Sequence, residues 1–302
     1  MKHPQFIVVG AARAGTSSLN SYLMQHPDIF LPKVKEPCFF SFAGEKINFK
    51  NGKFAFAINS IDQYCSLFIK ANSNQITGDI STPYLYLYEK TIDNFRKFHD
   101  NFQNVKIIII LRDPVERAYS QYLWRVRDGR EELTFEQAID AEKNRIIENY
   151  SFDYFYLDRG LYYKQVKAYL DNFTEVKIIL FEEFKNNTEQ VLKEICQFLN
   201  VDPEFKFVKR TKQNTSFLPR SILVSRLISS ESKTKFKLLN LLPNQIRSTF
   251  KEKLMKLNKS KEEVSSINLE TEKMLRTYFR DDLLMLQKLI NRDLSRWMQT
   301  DI

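Results

Sequence analysis

Phe6-Ile7-Val8-Val9-Gly10-Ala11-Ala12-Arg13-Ala14-Gly15-Thr16-Ser17-Ser18-Leu19 is the stretch on which the fold turns. The apolar run from Gln5 to Val9 meets a turn bracketed by Gly10 and Gly15, after which Leu19, Tyr22 and Leu23 recur at helical spacing. The order is strand, turn, helix. The first N–H groups of such a helix have no intrahelical partner, and together with the helix dipole they favour an anion. The glycine spacing is that of a phosphate loop, but Thr16 stands where a triphosphate-binding loop carries lysine. Without that lysine to reach the β- and γ-phosphates, ATP or GTP hydrolysis is disfavoured, whereas a shorter anion needs less. Arg13 brings a fixed positive charge with a planar donor fork to the loop tip, and Thr16 and Ser17 bring hydroxyls.

A second junction of the same kind follows Val105 to Leu111, a β-branched run without alternation, as expected of a strand covered on both faces. Asp113 is placed to cap, and Pro114 to open, the helix that runs through Trp124. Arg112 directly follows the strand and Ser120 lies two turns into the helix. In a doubly wound sheet ligands bind outside the carboxyl ends of strands, so both junctions face one crevice. Two separated anion sites imply a ligand with phosphates at both ends.

Further along, Arg159 to Phe173 reads as an amphipathic helix, Val176 to Phe181 as a third buried strand and Thr188 to Leu199 as a helix. This alternation predicts an α/β sandwich with a central parallel sheet. Tyr84, Tyr86 and Tyr88 alternate like one face of a strand, with packing as their commoner role. Asp202 to Ser221 is a long basic loop carrying Lys206, Lys209, Arg210, Lys212 and Arg220. Residues 222–302 read as a Lys-rich helical region added to the 1–221 core, the whole forming one domain.

With 302 residues, 43% of them hydrophobic and 14% aromatic, the chain can bury a large core. Its net charge of +9 fits an anionic partner: nucleic acid, a membrane surface, a polyanionic sugar or a nucleotide. The basic residues scatter instead of forming a stripe interleaved with aromatics, which weighs against nucleic acid and a noncatalytic polyanion binder. Cys38, Cys65 and Cys196 are odd in number and widely spaced, so neither a zinc site nor a disulfide framework is expected. The apolar run after Pro4 is too short for a signal-peptide core or a membrane span, which makes the expectation a cytoplasmic protein with no membrane partner.

The stretch from Phe6 to Ser17 resembles the 5′-phosphosulfate loop of sulfotransferases that use 3′-phosphoadenosine 5′-phosphosulfate (PAPS). Leu111-Arg112-Asp113-Pro114-Val115-Glu116-Arg117-Ala118-Tyr119-Ser120 resembles their 3′-phosphate element. The likeness continues through Arg159-Gly160-Leu161-Tyr162, Ile179-Leu180-Phe181-Glu182 and Asp293-Leu294-Ser295-Arg296-Trp297, and is nearest to bacterial members and the heparan-sulfate branch. It implies a P-loop-like three-layer sandwich and a PAPS-dependent transferase. By resemblance, Arg112 and Ser120 hold the 3′-phosphate, Arg13, Ala14, Gly15, Thr16 and Ser17 cradle the 5′-phosphosulfate, and the loop with Lys212 folds over the cosubstrate. The chain departs from the heparan-sulfate branch at Arg13, where lysine is usual. Arginine does not give up its proton, so donation to the leaving group is put in question.

For the base that takes the acceptor's proton, resemblance points to Glu36 in Lys35-Glu36-Pro37-Cys38-Phe39-Phe40. A carboxylate just before an aromatic pair can sit in a partly dry cleft, where its pKa rises, although pairing with Lys33 or Lys35 is the plainer role. Asp79, in Thr77-Gly78-Asp79-Ile80-Ser81-Thr82-Pro83, is the second candidate, its alternative being to hydrogen-bond the turn at Ser81 to Pro83. His26, before Pro27, reads as a capping or packing residue. No metal is demanded, and a kinase using ATP and Mg²⁺ is the competing enzyme, with Asp113 its nearest metal ligand.

Overall fold

The computed structural model describes residues 3–51, 57–208 and 266–300, with the pairs 224–225 and 257–258. Five Val- and Ile-rich runs form one sheet: β1 (Phe6–Gly10), β2 (Ile29–Phe30), β3 (Ile76–Ile80), β4 (Lys106–Leu111) and β5 (Val176–Leu180). Their order is β2-β3-β1-β4-β5 and every pair is parallel. In β1 every residue is buried, as a strand without alternation requires when helices cover both faces. Ile7 stands beside Asp79 on one side and Ile107 on the other, so the three central strands end near one level. Gly78 is where β3 passes the Phe6 ring, which a Cβ there would meet at 2.1 Å. β5 was expected to be buried like β4, yet most of it is only half-buried, because among the described residues it is the edge strand, paired with β4.

The helices are α1 (Thr16–Leu23), α2 (Phe39–Phe42), α3 (Ile61–Ser66), α4 (Pro83–Tyr86), α5 (Tyr88–Phe98), α6 (Pro114–Arg127), α7 (Phe135–Asp140), α8 (Glu142–Ile147), α9 (Tyr162–Asn172), α10 (Phe181–Asn186), α11 (Thr188–Leu199) and α12 (Leu269–Ile290). Tyr84, Tyr86 and Tyr88, expected on a strand face, lie in α4 and at the start of α5 instead. Pro83 at the first helical turn explains the difference, since its fixed φ opens a helix and its missing N–H cannot serve a sheet ladder. The helix expected from Arg159 begins three residues later, after the 3₁₀ turn Asp158–Gly160.

α12 buries Leu275, Phe279, Leu283 and Leu286. A Cβ on Gly160 would meet the Phe279 ring at 2.8 Å and Pro114 at 3.1 Å, so the bare Gly160 lets α12 and the start of α6 pack against the same turn. No helix among the described residues is long and apolar enough to cross a membrane. Lys212 and most of the basic loop lie outside the described residues.

Candidate active site

The strand order changes direction at β1, which has β3 on one side and β4 on the other. A crevice opens at such a switch point, outside the carboxyl ends of the strands. Three short segments arrive there: residues 11–17 after β1, 81–83 after β3 and 112–114 after β4.

After β1, Gly15 takes φ 88° and caps α1 without a side-chain bond, leaving the first-turn N–H groups facing the crevice end of the helix. Ala11 N–H donates to the Ile110 carbonyl at 2.7 Å and Ser81 N–H donates to the Val8 carbonyl at 3.1 Å, which fixes the three segments to one another. Arg13 Nε donates to Ser120 Oγ at 3.2 Å, and Arg112 Nη1 donates to the Arg13 carbonyl at 3.1 Å. The residues expected at the two ends of the ligand therefore join in one cluster. Arg112 is steadied by Glu116 at 2.8 Å and by the Phe181 ring at 4.9 Å, and Arg13 lies 5.8 Å from the Trp124 ring. Burial first, then the positive charges of Arg127 and Arg112, lowers the Arg13 guanidinium to about 10. Cations that repel one another in a half-dry crevice are an electrostatic invitation to an anion.

Asp113 accepts from the N–H groups of Val115 at 2.8 Å and Glu116 at 3.3 Å, capping α6. Its other oxygen pairs with Arg276 of α12, whose Nη1 also donates to the Trp297 carbonyl at 2.8 Å. Both oxygens are thus engaged in structure.

Glu36 lies beyond the crevice from α1 and its carboxylate accepts from Thr82 Oγ1, just after β3, at 3.3 Å. Burial raises its pKa, against the attraction of Lys35 and Arg159. Asp79 is wholly buried: Oδ2 accepts from Tyr64 and Tyr84 hydroxyls at 2.8 Å each, and Oδ1 from Ser81 Oγ at 2.7 Å. Ser81 Oγ in turn accepts from Cys38 N–H at 3.1 Å, so Asp79 anchors the loop that bears Glu36 and does not itself face the crevice. Of the seven non-glycine residues with positive φ among those described, four are asparagines, which tolerate that conformation, and the other three are Arg13, Glu36 and Cys38. Unfavourable backbone is concentrated at this site.

The sequence singled out Arg159 only within a motif and Asp153 not at all. Arg159 Nη1 reaches Asp153 at 3.2 Å, and both act electrostatically on Glu36. Tyr86 donates to Asp158 Oδ2 at 2.5 Å and its ring lies 5.8 Å from Arg159. The one signal available was a lone acid in an aromatic run, Phe152-Asp153-Tyr154-Phe155-Tyr156. His26 packs as expected, its Nδ1 accepting from Asp28 N–H at 3.1 Å and its ring 4.7 Å from Phe205.

Residues 4–205 match the family model described as the Sulfotransferase family. A solved structure of a sulfotransferase from Alicyclobacillus acidocaldarius superposes with a TM-score of 0.74 at 31% identity, covering 99% of this chain and 100% of that one. Among curated proteins, the membrane-associated sulfotransferase kil1 of Dictyostelium discoideum is 32% identical over 151 residues, 47% of this chain and 29% of that protein. The mouse bifunctional heparan sulfate N-deacetylase/N-sulfotransferase 4 is 24% identical over 314 residues, 99% of this chain and 31% of that protein. The chain thus spans less than half the length of these two curated relatives.

Proposed function

We propose that this chain, which belongs to the sulfotransferase family, moves a sulfuryl group from PAPS to a hydroxyl or amine of a carbohydrate or small-molecule acceptor. The observation that carries the choice of donor is the cationic cluster of Arg13 and Arg112, with Ser120, at the open start of α1, which favours an anionic nucleotide. When bound, PAPS supplies the sulfuryl group and departs as 3′-phosphoadenosine 5′-phosphate (PAP).

The chain's own residues divide the work. Arg112 and Ser120 hold the 3′-phosphate, and Arg13 with the first turn of α1 at Ala14, Gly15, Thr16 and Ser17 holds the 5′ end. Lys212, which the resemblance assigns to the nucleotide, lies outside the described residues. Glu36, kept in place by Thr82, takes the acceptor proton, and its raised pKa makes it a stronger base than a solvated carboxylate. Asp79 serves as a positioning residue for the Glu36 loop instead of as a second base. Positioning and fixed charge supply most of the remaining catalysis, as for phosphoryl transfer. The carbohydrate class is supported by the likeness to the heparan sulfate enzyme, and we place the reaction in the cytoplasm.

Calorimetric titration with PAP tests the proposal. The native protein is expected to bind PAP tightly, and Arg112→Ala to weaken it by about 10- to 100-fold through loss of charge-assisted hydrogen bonds. Binding of Mg·ATP with none of PAP or PAPS would replace the sulfotransferase by a kinase.

A further inference from the structure

At the 5′ end of the site, the positive charge within residues 10–17 comes from a single side chain. Arg13 is the one cation of that loop, and its Nε is committed to Ser120 across the crevice. The Thr16 and Ser17 hydroxyls are weak acids. A compact ammonium arrives from another segment: Lys35 Nζ donates to Ser17 Oγ at 2.5 Å. The placement is built by the backbone. Lys35 precedes Glu36, whose left-handed φ of 52° and the Cys38 N–H to Ser81 bond hold the loop beside the end of β3. Consecutive side chains then reach the two sides of one crevice, Lys35 to the α1 start and Glu36 to Thr82.

We infer that Lys35 is a catalytic residue, the ammonium that neutralises the oxygen on which the leaving nucleotide departs. The inference rests on the PAPS reading above. Lys35 donates a hydrogen bond to the bridging oxygen between sulfur and the 5′-phosphate. As the sulfur–oxygen bond breaks, its electron pair stays on that oxygen, which takes the Lys35 proton and becomes part of the product phosphate. The acceptor's lone pair forms the new bond to sulfur, and its proton passes to Glu36. One proton is thus received by a side chain and one is given by its sequence neighbour, and exchange with water restores both. Lys35 supplies that proton while Arg13 stays bonded to Ser120.

The test uses the full chain, native and as Lys35→Ala, Lys35→Arg and the control Lys33→Ala, at an exposed position two residues upstream. Two readouts are taken: the rate at which PAPS is cleaved to PAP with water as acceptor, and the ¹³C-dimethyl-lysine NMR signals of reductively methylated protein as PAP is added. Lys35→Ala is expected to slow cleavage about 10²-fold with its PAP affinity kept, Lys35→Arg to recover only part of the rate, and Lys33→Ala to match the native protein. The methyl signal absent from Lys35→Arg is expected to shift on PAP addition. A native rate in Lys35→Ala, or a Lys35 signal unmoved by saturating PAP, overturns the role of Lys35 alone. If native protein fails to bind PAP at all, the donor assignment falls first.

Discussion

Asp79 receives three hydroxyl hydrogen bonds, each favouring its charged form, and yet burial dominates and raises its pKa to about 6. A carboxyl with a folded pKa above its unfolded value binds a proton in the native state that the unfolded chain has already released. Its contribution to stability is therefore full below about pH 4 and is lost as pH rises through about 6. Asp79→Asn removes that titration. In urea unfolding from pH 4 to 7, the stability of native protein relative to Asp79→Asn is expected to fall with rising pH, by on the order of 3 kcal/mol. A constant difference would mean that Asp79 keeps an ordinary pKa. Glu36 calls for a different measurement, because a base acts only when ionised and its raised pKa should move the acidic limb of the kcat profile above the usual carboxylate range. Glu36→Gln is expected to lower kcat by about 10²- to 10⁴-fold, to abolish that limb and to leave PAP binding intact. Both carboxylates were visible in the sequence, but their surroundings were not, since Tyr64, Tyr84 and Thr82 arrive from elsewhere in the chain.

Two helices share one carboxylate at Asp113, which caps α6 with one oxygen and binds Arg276 of α12 with the other. Arg276→Ala leaves that buried charge unpaired, for an expected loss of about 3–5 kcal/mol in denaturant unfolding. Because Asp113 follows Arg112 directly, PAP affinity should fall as well, and Arg276→Lys should fall between the two. Unchanged PAP affinity in Arg276→Ala would separate the clamp from the nucleotide site. The junctions themselves could be read in advance because their determinants are local: Gly15 at the α1 cap, and Asp113 and Pro114 at the α6 start. The clamp could not, because Arg276 lies 163 positions from its partner and nothing in the local pattern of α12 marks it. The tyrosines of α4 and α5 were misread for a related reason, periodicity over five residues being too short to outweigh Pro83.

Across the whole molecule, the parallel strand order does what no single segment does, carrying Arg13, Thr82 and Arg112 from well-separated points in the sequence to one end of the sheet. The fold class followed from strand-helix alternation, and so did the end of the sheet at which to look. The groups placed near Glu36 and Tyr86 did not, since Asp153, Asp158 and Arg159 lie in 3₁₀ turns with no periodic pattern to place them. The dependence of the α6 start on α12 also carries a consequence for biosynthesis. Translation delivers all five strands, both strand-to-helix junctions and Glu36 well before Arg276 and Trp297 emerge from the ribosome, so the clamp on Asp113 forms after the sheet it steadies. A nascent chain thus carries the sheet and its cationic crevice while the keystone is still unsynthesised, so that the start of α6 is completed only once α12 has been made.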